Sequence, residues 1–393
     1  MRKIIIFTII ILSTIWTSAQ KVTLNGYVKE MAVYYKLQDP VMLGPNLMFD
    51  ASNYNLVHNR LNFKYYPAEN LNMALEVRNR LFSGKLIGQI PGYAELTAVD
   101  DGLVDMSWNL IEQDKYFLNT SIDRLYIDYT WHNWQMRAGR QRINWGINLV
   151  WNPNDIFNAF SYIDFDYEER PGSDAALIAW YPTSASALEL AWKPSRYSNS
   201  HTLAAKYRMN MNTYDVQFIG GISGPDFVMG TGWSGSLWKM AFRGEASWFI
   251  PKPGETNFSE EAVAATVSLD YTFTNSLYLH TSFLFNSIGA THKGSGISIL
   301  DPTFNLSAKR LSIGRYELFG QVACPFSPIV NGSIAAMINP LDWSMFIGPS
   351  LVISLHDDFE LMLTAQLMLG ETGSEYGTLG NTYACFGRLR WSF

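Results

Sequence analysis

Apolar and polar residues alternate with a period of two along most of the chain. Between Phe359 and Leu369, for example, apolar residues take the odd positions, while Glu360, Thr364 and Gln366 take even ones. This alternation recurs at 61–65, 71–80, 238–248, 263–273, 277–285 and 382–393. A period of two is typical of β-strands that have one buried or lipid-facing side. The chain is therefore predicted to be all-β.

The connections between the predicted strands alternate between short and long. Short ones are predicted near 67–70, 132–133, 181–183, 210–212, 234–236, 274–275, 324–327 and 356–358, and longer ones near 38–55, 82–119, 143–172, 193–200, 250–260, 287–310 and 370–381. Such sorting is typical of a transmembrane β-barrel with short periplasmic turns and long outer loops. The count is about eighteen strands, with sixteen as the alternative, and the weakest predicted strand is 226–233.

Composition supports a membrane barrel over the other classes. The chain has 393 residues, of which 48% are apolar, 15% aromatic and 16% charged, whereas soluble domains carry roughly 25% charged residues. Beyond the first twenty residues, no apolar run approaches the ~20 residues of a membrane-spanning helix. The aromatic content excludes disorder. We therefore predict a closed antiparallel transmembrane β-barrel.

The amino terminus predicts export. Arg2 and Lys3 precede an apolar stretch at 4–15, and Ala19 ends a run of small residues that suits signal-peptide cleavage. Residues 1–19 are thus the predicted signal peptide, and 20–393 the barrel in the outer membrane of a Gram-negative bacterium. The net charge of −6 argues against nucleic acid as a partner.

The two cysteines and the histidines predict no metal site and no cofactor. Cys324 and Cys385 are expected at opposite membrane faces, too far apart for a disulfide, so both should be free thiols. The histidines are scattered without metal-ligand spacing.

Two stretches resemble known barrels. The terminal Arg390-Trp391-Ser392-Phe393 resembles the carboxyl-terminal assembly signal of bacterial outer-membrane barrels. Residues 139–146, 152–155 and 169–172 resemble the strand-plus-loop motif of porin-like barrels related to the alginate exporters. That resemblance implies an eighteen-stranded channel or exporter, but it covers only 139–172 and does not carry the substrate over. Tyrosine-rich strands and Gln20 resemble a Bacteroidetes-type member of this group.

Basic side chains gather on the polar phase of the first strands and of the last. We expect them to point inward, because a charge on the lipid face costs about 2–4 kcal/mol at midplane. Closure of the barrel would join them into one surface, the basic wall. Its predicted pore-lining members are Lys29, Arg60, Lys64, Arg78, Arg80, Arg124, Arg137, Arg388 and Arg390. The alternative is that these side chains fill a wide polar lumen and pair with Glu76 and Asp128.

The loop at 143–172 combines aromatic and acidic residues. Aromatic area of this size is better buried than exposed to water, so the loop is expected to fold into the barrel and set its acids against the basic wall. Its predicted constriction residues are Trp151, Asp155, Phe160, Asp164, Asp166, Glu168 and Glu169. The alternative is a loop that caps the mouth of the barrel or contacts a neighbouring subunit.

The predicted function is a channel or exporter that passes small hydrophilic solutes or oligosaccharides through a constricted, charge-lined lumen. The alternative is a non-conducting adhesion or secretion platform that acts through loops 82–119 and 287–310. Besides membrane lipid, a second copy of the chain and a periplasmic protein stay open as partners. His280 and Ser282 resemble the His/Ser pair of outer-membrane lipases and deacylases, but their phase sends them inward. A catalytic nucleophile also needs a base and an orienting group, so no enzyme is predicted.

Overall fold

The computed structural model describes residues 21–44, 47–163, 170, 172–197, 200–255, 259–291 and 306–393. The predicted signal peptide, 1–19, lies outside the described residues and stays a prediction. Among the described residues, none of the helices is both long and apolar enough to cross a membrane.

The described part of the chain contains nineteen strands and two short helices. The strands are β1 (Val22–Gly44), β2 (Leu47–Ala68), β3 (Leu71–Ser83), β4 (Ser107–Gln113), β5 (Tyr116–Trp131), β6 (Trp134–Gln141), β7 (Ser173–Thr183), β8 (Ser186–Lys193), β9 (Thr202–Met211), β10 (Tyr214–Ser223), β11 (Asp226–Leu237), β12 (Met240–Pro251), β13 (Ala262–Thr272), β14 (Tyr278–Asn286), β15 (Tyr316–Ser327), β16 (Val330–Ile338), β17 (Met345–His356), β18 (Phe359–Leu369) and β19 (Thr382–Ser392). The helices are α1 (Lys85–Gln89) and α2 (Tyr93–Ala98).

Consecutive strands pair antiparallel, except that β3 pairs with β5, and β19 pairs with β1 to close the sheet, from Tyr27 opposite Ser392 to Leu37 opposite Thr382. Strand β4 stands outside this ring. It pairs with residues 116–121 of β5, and β6 pairs with residues 125–131 along the same edge of that strand. The opposite edge of β5 pairs with β3. The ring is therefore a closed barrel of eighteen strands. This confirms the prediction of eighteen strands rather than sixteen. The weakest predicted strand, 226–233, is present as β11.

The two faces of the sheet differ in the way that a membrane barrel requires. On β2, Leu61 and Phe63 are 37% and 39% exposed, whereas the alternating His58 and Arg60 are 3% and 1% exposed. Apolar side chains outside and polar ones inside are the pattern of a barrel surrounded by lipid. Closure follows, because lipid cannot satisfy the backbone groups of an open sheet edge.

Short turns gather at the end of the barrel where β1 starts and β19 ends, at 69–70, 132–133, 184–185, 212–213, 238–239, 273–277, 328–329 and 357–358. Most outer connections are longer, which confirms the sorting in general, although the two-residue turn 224–225 between β10 and β11 lies at the outer end. The turns predicted at 181–183 and 324–327 lie at 184–185 and 328–329. The turn predicted at 234–236 lies at 238–239, where Trp238 has a φ of 56°.

The long connection predicted at 38–55 is also wrong, because β1 and β2 continue through it as one hairpin. The pairing of the two strands shifts register between Lys36 and Val41, and Pro40 lies within this irregularity, where a strand tolerates proline.

Buried apolar clusters form where loops meet the inner face. Val150 and Trp151 pack with Leu284 and Phe319 of β14 and β15. A second cluster joins Ile87 of α1 to strand residues such as Met31, Phe82 and Phe117. Residues of the 143–172 loop form a third cluster with small side chains of β7 to β9. Loops thus contribute the apolar side chains that the barrel buries inside.

The two cysteines are both free. Cys324 lies near the end of β15 that leads into the short turn 328–329, and Cys385 lies near the start of β19, after the long connection 370–381. The two cysteines are therefore at opposite ends of the barrel. This confirms the prediction of two unpaired thiols.

Candidate functional site

All nine residues of the predicted basic wall stand on the inner face of one continuous stretch of sheet. They are Lys29 on β1, Arg60 and Lys64 on β2, Arg78 and Arg80 on β3, Arg124 on β5, Arg137 on β6, and Arg388 and Arg390 on β19. Lys29 lies opposite Arg390 across the closing seam and opposite His58 on its other side. Closure therefore makes these residues neighbours although the chain separates them.

Carboxylates interleave with this wall. Arg60 forms ion pairs with Glu76, at 2.6 Å, and with Asp123, which Arg78 also contacts at 3.3 Å. Asp123 reaches them because the pairing of β3 with β5 shifts by one residue, so that Asp123 and Arg124 are both buried. A β-bulge of this kind inserts one extra residue into a strand and re-aims its side chains.

Other members of the wall also have partners. Arg137 pairs with Asp128, and Arg388 pairs with Glu360 at 2.7 Å. Together with the Arg60–Glu76 pair, these contacts support the alternative in which Glu76 and Asp128 neutralise part of the wall. The carboxylates Glu76, Asp123, Asp128 and Glu360 thus interleave with the nine cations of the wall.

The 143–172 loop is anchored to the inner face by one glutamate of β12. Glu245, which is 1% exposed, accepts hydrogen bonds from the backbone N–H groups of Ile147, Asn148, at 2.7 Å, and Asn154, at 3.0 Å. This single side chain therefore fixes the backbone of the loop at two places.

Further polar contacts follow the loop along the wall. Gln217 on β10 donates to the carbonyl oxygen of Trp145 at 2.7 Å, and the Trp145 indole donates to Glu189 on β8 at 2.8 Å. The Ser268 hydroxyl on β13 donates to the side chain of Asn148 at 2.7 Å. The loop thus lies inside the barrel, against the strands opposite the basic wall.

Aromatic contacts hold the far part of the loop. The rings of Trp151 and Tyr162 both meet Phe319 of β15 edge to face, with centroids 6.3 Å and 4.9 Å away. Gln366 of β18 donates to the carbonyl oxygen of Ile163 at 2.9 Å. The loop therefore contacts the inner face from β8 to β18, and its chain turns back between these contacts, because the carbonyl oxygen of Phe157 accepts from Ser173 of β7.

The acids of the loop were expected to face the basic wall, and Asp155 does not. Its carboxylate pairs instead with Arg170 of the same loop at 3.0 Å, and Arg170 also lies 5.1 Å from the ring of Phe160. Burial raises the pKa of Asp155 to about 6, although Arg170 favours its charged form. The loop touches the wall where Arg124 donates to the carbonyl oxygen of Arg170. Asp164, Asp166, Glu168 and Glu169 lie outside the described residues.

The loop before β4 carries a charged network that the sequence reasoning missed. Arg140 of β6 pairs with Asp100 of this loop at 2.6 Å and with Asp174 of β7 at 2.7 Å. Burial opposes ionisation of Asp100, but hydrogen bonds from Arg140 and from the N–H groups of Met106 and Gly102 leave its pKa below the usual value. Gly139, next to Arg140, was the available signal, because a strand glycine often marks a close approach of two backbones. A Cβ atom at Gly139 would clash with the carbonyl oxygen of Leu125.

A cavity of about 390 Å³ lies beside this network. Its lining includes Arg78 and Arg80 of the basic wall together with Asp100, Arg140 and Lys193. Both signs of charge thus face one interior space.

Three outer connections are tied together by Glu375. Its carboxylate accepts from the N–H groups of Ile313 and Gly314, both at 3.1 Å, and from the Asn339 side chain at 2.9 Å. Glu375 therefore joins its own loop, 370–381, to the segment that precedes β15 and to the loop 339–344 between β16 and β17.

His280 and Ser282 point inward, as predicted, and both are buried. The Ser282 hydroxyl donates to the carbonyl oxygen of Val267 at 3.2 Å. Among the described residues, no group of three or more His, Cys, Asp and Glu side chains is placed to hold a metal ion.

The fold defines the chain as a closed eighteen-stranded barrel of the porin type. No protein-family model matches the sequence, and no curated protein matches it. Solved structures do. OccAB4 of Acinetobacter baumannii has a TM-score of 0.58 at 8% identity, over 95% of this chain and 99% of that chain. OccK9 (OpdG) of Pseudomonas aeruginosa has a TM-score of 0.58 at 11% identity, over 95% of this chain and 98% of that chain. OccK11 (OpdR) of Pseudomonas aeruginosa has a TM-score of 0.57 at 10% identity, over 94% of this chain and 96% of that chain. Identities this low show a shared fold alone.

Proposed function

We propose that this protein is an outer-membrane channel through which small hydrophilic solutes diffuse. The observation that carries the proposal is the 143–172 loop, which Glu245 holds inside an eighteen-stranded barrel, opposite a wall of inward-facing cations. A barrel of this strand number is wide enough for an aqueous path. An inner loop narrows that path, and charged side chains around the narrowing set which solutes pass.

The solute path runs between the loop and the basic wall. The loop contacts strands from β8 to β18, so the inner face of β19, β1, β2 and β3 forms the other side of the path. The α1 helix covers part of that face, where Ile87 joins a buried cluster with Met31 and Phe82. The charged side chains of this wall set the local potential that a solute meets along the path. The porin-type fold of OccAB4 and its relatives supports an outer-membrane location and a non-enzymatic role.

The kinship with alginate exporters and a Bacteroidetes origin stay predictions, because they rest on residues 139–172 and on composition alone. They imply oligosaccharides as one solute class. A second copy of the chain and a periplasmic protein also stay open as partners.

Single-channel recording in planar lipid bilayers tests the proposal. The parent should conduct, and a variant without residues 152–168 should show a larger conductance, since the deletion removes bulk from the lumen. Its strands should still form the barrel, because they pair without that loop, and heat stability in detergent checks this. A parent that stays closed, together with a folded deletion variant that also stays closed, would refute the channel and favour an assembly platform.

A further inference from the structure

The outer face of the barrel carries a groove of about 740 Å³ near the end with the short turns. It crosses β13, β14 and β15 and is lined almost entirely by apolar side chains. Leu269, Tyr271 and Phe273 of the β13 region border one side, and Leu279 and Val322 border the other. At roughly 3.3 Å per residue, the stretch from Leu269 to Phe273 spans about 13 Å along the strand. The groove is thus elongated along the strands, which cross the bilayer.

The groove exists because one strand position lacks a side chain. Gly320 lies on the outer face of β15, between Leu318 and Val322, which are 44% and 48% exposed. A Cβ atom placed on Gly320 would meet no atom within 4 Å. Thr281 lies directly opposite Gly320 on β14 and lines the hollow too. Small residues at these two points leave a depression among bulky neighbours.

A cation and an aromatic ring border the groove at the turn. Trp238 is 84% exposed, and Lys239 follows it in the turn between β11 and β12. In the parts of the chain that the structure describes, Lys239 forms no ion pair. Tryptophan is enriched at the level of lipid headgroups, and a lysine there attracts anionic lipids.

We propose that this groove binds one anionic phospholipid, with an acyl chain over Gly320 and the phosphate beside Lys239. The apolar hollow fits hydrocarbon, and the single cation at its end fits a negatively charged headgroup. Such a lipid would stay bound when the surrounding bilayer is removed. The proposal rests on the outer face of the barrel and does not depend on conduction, so the two can fail separately.

Native mass spectrometry of the whole barrel tests this binding. The protein is reconstituted in vesicles of phosphatidylcholine with a minor share of phosphatidylglycerol, extracted in mild detergent, and its retained lipids are counted. The parent should keep one phosphatidylglycerol. Gly320→Leu should lower the occupancy about tenfold or more, since methylenes added to an apolar pocket change affinity on that scale. Lys239→Gln should keep a lipid but lose the preference for phosphatidylglycerol.

Gly220→Leu is the matched control. Gly220 is exposed on β10, outside the groove, and a Cβ atom there also meets nothing within 4 Å. It should retain the lipid as the parent does. If Gly320→Leu fails to fold, Thr281→Leu fills the same hollow from β14. The proposed site would be wrong if the parent retained no lipid, or if Gly320→Leu retained as much lipid as the parent. It would also be wrong if Gly220→Leu lost as much lipid as Gly320→Leu. An unchanged lipid preference in Lys239→Gln would overturn the role of the cation.

Discussion

Removing the carboxylate of Glu245 should release the 143–172 loop from the wall. In Glu245→Ala, the N–H groups of Ile147, Asn148 and Asn154 lose their acceptor. A buried polar group left without a partner costs about 1–3 kcal/mol, so the three together cost at least about 3 kcal/mol. Since 1.36 kcal/mol corresponds to a factor of ten, the detached state should become about a hundredfold more populated.

Glu245→Gln gives a graded version of the same change. One carboxylate oxygen accepts from Ile147 and Asn148, and the other accepts from Asn154. Glutamine keeps one acceptor oxygen, so only the bond from Asn154 is lost, at about 1–2 kcal/mol or roughly tenfold.

The assay is single-channel recording, which measures how often the channel switches to a larger conductance. This frequency should increase from the parent to Glu245→Gln and again to Glu245→Ala. Ser282→Ala is the control, because Ser282 is also buried on the inner face but donates to the barrel backbone at Val267. It should behave as the parent does. Parental transition statistics in Glu245→Ala would refute the anchoring role of this residue.

Three further predictions concern charge, pH and orientation. Replacing Arg78 and Arg80 together by glutamine should shift the ion preference toward cations, because two positive charges are removed, and the reversal potential in a salt gradient reads this shift. The attached loop should lose stability as pH rises from about 4 to 6, because Asp155 has a pKa of about 6 when buried, against 3.8 unfolded. That loss is about 3 kcal/mol, and Asp155→Asn should remove this dependence from the pH profile of large-conductance openings. An epitope inserted near Gly289 should be labelled on intact cells, whereas one near Asp357 should not.

Alternation made the barrel predictable, because a strand with one polar and one apolar face repeats every two residues. The same regularity explains the missed inward position of Asp123. In β5, apolar residues hold even positions at Leu118 and Ile122, then odd positions at Leu125 and Ile127. That change of phase marks the bulge, and it could have been read from the sequence.

The path of the loop could not be predicted in the same way. Its anchor joins backbone N–H groups at 147–154 to a side chain of β12 that is far away in the chain, and nothing local to either segment signals the pairing. Aromatic content predicted burial, which the contacts of Trp151 with Phe319 confirm. It did not predict that Asp155 would pair with Arg170 rather than with the wall.

An anchor that binds backbone amides is indifferent to most of the side chains it holds. Every residue except proline carries an N–H group, so Ile147 can be exchanged for other residues while Glu245 keeps its three donors. Asn148 and Asn154 are held by their side chains as well, through Ser268 and Thr231. Elsewhere the loop can diverge in sequence, in nature or by engineering, and acquire new solute preferences without losing this anchor. Proline at one of these three positions is the substitution that this arrangement excludes.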